Sequence, residues 1–332
     1  MNRTRKAIAA AVVLSALFGK SGSGQAPPPA TLIVSLENVV EYQVDIDDIS
    51  NYATNPNVTP STGAGNFGVV TLLGDIVAVN GQPAKGLYAG RTRVISTTPT
   101  PHPGQAIADI TRTAIREHIF EILQADGTPV GTIMSLGFSG GQAPPGAPSA
   151  ERGNWAIVGG TGAFLGARGS VGGTGGVARA ASVAEDPANR RTNGGGKFPF
   201  ILHVIPMFRP EVVSTPAGPA ITHSSDFSLL NASKPAAAGE VLSAFVTGLG
   251  PTVPGVDPGQ PFPDSPPSVV NSPVQVTVSG PSAEVLAAVG FPGTVDGYQV
   301  NFRIPPGTPP GPTTIQFTAA WIAGSVVTIP VR

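Results

Sequence analysis

No cysteine occurs in the chain. That excludes disulfides, thiolate nucleophiles, Cys-ligated metals and a lipid on a processed N-terminal cysteine. Charge is scarce as well: Asp, Glu, Lys and Arg make up 12% of the 332 residues, about half of the ~25% usual in a soluble domain. The formal net charge is −1 and no basic cluster stands out beyond the first residues, so no nucleic-acid partner is expected. Long hydrophobic runs are missing except for Ala7–Phe18, which would reach only about 18 Å as a helix, too short to span a bilayer well. It follows Arg3, Arg5 and Lys6 and precedes the small, polar Lys20–Gln25 and Ala26. Residues 1–26 therefore read as a signal peptide rather than an uncleaved anchor. The expected location is secreted, periplasmic or cell-surface, with no membrane span after signal removal.

Glycine (43) and proline (36) are abundant, while hydrophobic residues still reach 41%. A chain that is roughly a quarter Gly and Pro does not suit long helices, because Gly loses backbone entropy there and Pro lacks the N–H. It suits short strands joined by turns around a real core. Residues 27–30 form a stiff spacer. Strand-like runs follow at Thr31–Val44, Val69–Val79, Gly86–Ser96, Asp109–Leu123, Pro129–Phe138, Asn154–Val158 and Phe198–Phe208. Asn80-Gly81 and Asp126-Gly127 mark hairpins between them. Ile110–Leu123 also admits a helix, since Arg116, Glu117 and His118 are not β-favouring, but Thr111, Thr113, Ile115 and Ile119 pull toward strand. Gly140–Gly153 and Glu185–Lys197 read as loose surface segments. Composition changes across 210–219, which reads as a linker. Beyond it, short strands recur every 10–15 residues, the rhythm of a β-sandwich over 220–332.

Three local patterns invite chemistry and are better explained without it. Val158-Gly159-Gly160-Thr161-Gly162-Ala163-Phe164-Leu165-Gly166 suggests a dinucleotide loop, but such a loop must open a helix. The stretch Gly169–Gly176 is too glycine-rich for one, so a tight turn is expected and no cofactor. Gly137-Phe138-Ser139-Gly140-Gly141 fits the serine-hydrolase pattern, yet Gln142-Ala143-Pro144-Pro145 cannot supply the helix a nucleophile elbow needs. Glu41, Asp45, Asp47 and Asp48 lack the central glycine and distal carboxylate of a calcium loop. The histidines 102, 118, 203 and 223 show no metal spacing, so no metal is expected. His118 with Arg116 and Glu117 fits either a cavity lining or, as favoured here, a surface-facing strand.

The run Trp155-Ala156-Ile157-Val158-Gly159-Gly160-Thr161-Gly162-Ala163-Phe164-Leu165-Gly166-Ala167-Arg168-Gly169 resembles the Val-Val-Gly-Gly-Thr-Gly-x-Phe-x-x-Ala-Arg-Gly signature of the dirigent and allene oxide cyclase barrels. Lys85-Gly86-Leu87-Tyr88-Ala89 resembles their Gln-Gly-Leu-Tyr strand, and Phe200-Ile201-Leu202-His203-Val204 their closing strand. Where members carry an Arg-Glu pair before the glycine run, this chain has Gly153 and Asn154. Ala238–Pro251 and Tyr298–Gly307 resemble an Ig-like domain of secreted acidobacterial proteins. These resemblances imply an all-β chain: an eight-stranded antiparallel allene-oxide-cyclase-like barrel over 31–209, then an Ig-like β-sandwich over 220–332. They imply a cavity for a small apolar molecule, with a cyclase or isomerase, or a dirigent-type guide, as the enzymatic alternative and a purely structural envelope role as another. Homo-oligomers are common among such barrels.

No catalytic residue is identified. The ligand-pocket candidates are Tyr88, Thr161, Arg168 and Asp75. Tyr88 and Arg91 differ by an odd number of positions and so face opposite sides of a regular strand. Tyr88 is expected inward, and Arg91 toward solvent or an acid.

Overall fold

The computed structural model describes residues 29–44, 69–96, 112–139, 152–173 and 175–332. The candidate signal peptide, most of Gly140–Gly153, and Asp45, Asp47 and Asp48 lie outside these residues. The chain divides into two compact units, and the division falls between Met207 and Phe208.

The first unit is a closed barrel of eight antiparallel strands. Its strands are β1 (Ala30–Val44), β2 (Val69–Val79), β3 (Gln82–Ser96), β4 (Arg112–Gln124), β5 (Pro129–Ser139), β6 (Arg152–Gly160) and β7 (Arg168–Gly173). A short β8 (Arg179–Ser182) follows, and β9 (Gly196–Ile205) completes the wall. Each strand pairs with the next through β7, β7 pairs with β9, and β9 closes onto β1. The described part of the expected strand Asp109–Leu123 is β4, and over it the helical alternative is not realised. Strand β7 went unforeseen because its sequence, RGSVGG, offers one β-branched residue among glycines. Those glycines let neighbouring chains approach. A Cβ on Gly173 would sit 2.7 Å from the Phe198 ring.

Alternation sets the interior. Tyr88 pairs with Phe120 and Phe120 with Ile133, and all three are fully buried. Asn80-Gly81 closes the β2–β3 hairpin with positive φ at both residues, as a two-residue turn of that hand requires. Strand β1 carries a bulge at Asn38, whose φ is +53°. Before it, Leu32, Val34 and Leu36 face the interior. After it, Val40 and Tyr42 turn outward and pack with Ala181 of β8 and Leu73. A bulge re-aims side chains in this way.

The second unit is a nearly closed sheet. We number its strands β10 (Glu211–Val212), β11 (Ser214–Thr215), β12 (Gly218–Pro219), β13 (Ile221–His223), β14 (Val241–Thr247), β15 (Thr252–Val253), β16 (Val269–Val270), β17 (Val274–Val278), β18 (Ser282–Gly290), β19 (Gly297–Arg303), β20 (Gly311–Ala319) and β21 (Ile322–Val331). The main order is β10-β14-β19-β18-β17-β20-β21. Its core is the alternating inward set Leu242, Ala244, Val246, Val300, Phe302, Ile315 and Phe317. The stretch 210–219, expected as a linker, is paired: β10 joins β14, and β11 joins β12.

Candidate functional site

The barrel has two dissimilar ends. At the lower end the glycine run of β6 leads into a single 3-10 turn, Gly162–Phe164. Phe164 is buried there against Gly131 and Gly160. The run needs glycine for space: a Cβ on Gly160 would lie 2.7 Å from the Thr132 carbonyl oxygen, and closer still to that of Phe164. Gly162 also has φ +60°, which L side chains rarely adopt. The following helix is three residues long, so no helix N-terminus faces outward as a phosphate cradle. Above this plug, Ile76, Ile122, Ile133, Leu202 and Phe120 fill the bore, each at most 2% exposed.

Toward the upper end, where β1, β3 and β5 finish and β2, β4 and β6 begin, the interior becomes polar. Residues 114, 116, 118, 120 and 122 of β4 share one face, because Phe120 and Ile122 are core residues and alternation does the rest. His118 is therefore inside the barrel, 2% exposed, contrary to the surface-facing expectation, and Arg116 is on the same face. Glu117 alone of that trio is exposed. His118 Nδ1 and the Tyr88 hydroxyl lie 2.7 Å apart. Trp155 of β6 meets the His118 ring edge-on at 4.7 Å, and the Arg116 guanidinium lies over the Trp155 ring at 5.5 Å. Phe200 packs on both Tyr88 and His118.

Burial fixes the protonation of this pair. It depresses the His118 pKa to about 3, with the Arg116 charge adding to the effect. The imidazole is therefore neutral at physiological pH. Burial also raises the Tyr88 pKa, so the phenol keeps its proton. If the phenol donates to Nδ1, one bond satisfies both atoms and His118 carries its proton on Nε2. The opposite direction would strand the phenol proton as well. The first arrangement leaves fewer unmet groups.

Even so, four polar atoms of this layer remain buried with no hydrogen-bond partner: His118 Nε2, Arg116 Nε, Ser135 Oγ and Thr92 Oγ1. They are neighbours by strand register. His118 pairs with Ser135, and Arg116 pairs with Thr92. An unmet buried donor costs about 1–3 kcal/mol, so four in one layer is a concentrated expense for a natural barrel. Among the described residues no carboxylate lies within ion-pair distance of Arg116. Glu41 enters the same interior from β1. It pairs with inward Leu72 beyond the bulge, and its charge reaches Tyr88.

The four sequence candidates do not assemble. Tyr88 stands inside, as expected, with Arg91 exposed on the other face. Thr161 is exposed at the lower end, where its hydroxyl bonds that of Thr132 at 2.7 Å. Arg168 opens β7 at the same end and is exposed. Asp75 is buried outside the wall. It accepts from Arg191 at 2.8 Å, from Asn38 at 2.9 Å and from Arg190. Burial alone would raise its pKa, but those bonds win and hold it near 2. Its arginines come from the segment after β8, so Glu185–Lys197 is no loose loop. Pro187–Arg190 forms a 3-10 turn capped by Asp186, and Arg190 is 9% exposed. Sequence reasoning had raised Arg116 and His118 only as the lesser alternative, and missed Trp155, Ser135 and Thr92 as a group.

Among the described residues no cluster of three or more His, Asp or Glu could hold a metal, and no helix is long and apolar enough to cross a membrane. No protein-family model, curated protein or solved structure matches the chain.

Proposed function

We propose that the barrel is a binding vessel for a small, largely apolar molecule, held in the upper half of the bore. The observation that carries this reading is the layer of four unpartnered buried polar atoms at Thr92, Arg116, Ser135 and His118, set against the rings of Tyr88, Trp155 and Phe200. Sites for small molecules combine apolar, aromatic walls with a few placed polar groups. The residues below Tyr88 are packed, so the ligand lies above them. We read the chain as an exported protein of dirigent or allene oxide cyclase type, followed by an Ig-like unit with a structural or adhesive role. Its leader-like N-terminus and glycine signature support that reading.

A second reading, a cyclase or isomerase, draws on the Tyr88–His118 pair. A phenol bonded to a neutral imidazole can pass a proton, and such a reaction otherwise needs little beyond a shaped pocket.

Trp155 supplies the test. The chain has two tryptophans, so Trp321→Phe leaves Trp155 as the reporter inside the barrel. Small aromatic and alkyl probes should change its emission saturably, and bulky probes should not. If no small probe perturbs Trp155, the vessel reading fails.

A further inference from the structure

We propose that the ligand carries an oxyanion, a carboxylate in the simplest case, and that Arg116 and His118 Nε2 receive it. The inference rests on the vessel reading and adds the chemical class of the ligand.

Sign of charge and count of donors together select the ligand class. A neutral His118 bonded through Nδ1 to the Tyr88 hydroxyl presents Nε2–H to the interior. Arg116 Nε–H is a second unmatched donor, fixed against the Trp155 face. The hydroxyls of Ser135 and Thr92 donate as readily as they accept. The layer thus holds one cation and an excess of donors, with no acid in ion-pair contact with the cation among the described residues. A neutral apolar molecule would leave every donor orphaned. An ammonium would add another donor beside a guanidinium. A carboxylate offers about four acceptor sites, and its charge-assisted bonds to arginine are the strong kind. Planar delocalised guanidinium is also the cation best suited to a dry, ring-lined site. Glu41 shares this interior: it lies on β1 in the register row that runs through Leu72 and Gly90 to His118, and its charge reaches Tyr88. Among the described residues it makes no ion pair with Arg116, so the guanidinium still offers its charge to a ligand.

The test compares molecules of matched shape and different head group on the full chain. Isothermal titration calorimetry at pH 7 would use 1-naphthoic acid, 1-naphthalenemethanol and 1-naphthalenemethylamine, with octanoic acid, octanol and octylamine as the flexible series. In at least one series the acid should bind 10-fold or more tighter than the alcohol, and the amine weakest. Arg116→Gln should abolish the acid's advantage and leave the alcohol's affinity within about twofold. If Arg116→Gln does not fold, Ser135→Ala should weaken the acid several-fold and spare the alcohol. An alcohol as tight as its acid, or an amine tighter than both, overturns the oxyanion while leaving the vessel standing. If no compound of either series binds, the vessel and the oxyanion fall together.

Discussion

His118 should make the barrel acid-sensitive well above the range where carboxylates titrate. In the folded chain its pKa is depressed to about 3, while an unfolded histidine titrates near ~6.5. Below pH 6.5 the unfolded chain binds a proton that the native chain refuses. Stability must then fall with falling pH by about 1.4 kcal/mol per unit, until the native imidazole protonates near 3. Between pH 7.5 and pH 5.0 this one residue should remove about 2 kcal/mol. Asp75 acts in the same direction but lower down. Its folded pKa near 2 lies below the unfolded value, so its contribution is intact at pH 5 and lost only between about 4 and 2. Urea titrations followed by Trp155 emission in the Trp321→Phe chain would measure the effect at both pH values. The comparison is with His118→Asn in the same background, which cannot titrate. The asparagine variant starts less stable, since Tyr88 loses its partner, but its midpoint should move much less on acidification. Equal pH slopes in the two chains would show that His118 titrates normally when folded, and the assignment of a dry, neutral imidazole would be wrong.

Four further substitutions have outcomes set by the geometry. Tyr88→Phe keeps the ring contacts to Phe120 and Phe200 but orphans His118 Nδ1, so denaturant unfolding should show a loss of about 1–3 kcal/mol. Gly160→Ala should lower the melting temperature by many degrees, because its Cβ overlaps two carbonyl oxygens. Gly159→Ala, with only Met134 Cε at 3.9 Å, should stay within about 0.5 kcal/mol of the wild type in the same melts. Asp75→Asn strands the buried Arg190 and should cost about 3–5 kcal/mol in urea titration.

Much of the barrel was legible in its sequence because its strands carry turn chemistry and alternation that agree. The β2–β3 hairpin was readable from Asn80-Gly81 and from the apolar positions flanking it. The candidate site was not, for a reason visible on β4. Its inward face reads Ala114, Arg116, His118, Phe120, Ile122, and its outward face Ile115, Glu117, Ile119, Glu121, Leu123. Both faces mix charge with aliphatic residues, and Ile119 is 46% exposed, so period two alone could not say which face was inside. Only Phe120 and its register partners decide that. Asp75 failed differently: its partners Arg190 and Arg191 lie more than a hundred positions away, in a segment whose glycines and polar residues resemble a free loop. The Asn38 bulge was equally silent, since an Asn within a valine-rich run carries no mark of a reversed face.

Phe164, seated in the lower end of the bore above its glycine run, has a kinetic consequence. A tube stoppered at its lower end is no conduit, so a ligand held at His118, as proposed, would leave by the route it entered. Entry and exit then share one transition state. Substitutions lining that route should speed or slow both rates by the same factor and leave the equilibrium constant alone, whereas substitutions at Arg116 or Ser135 should act on departure alone.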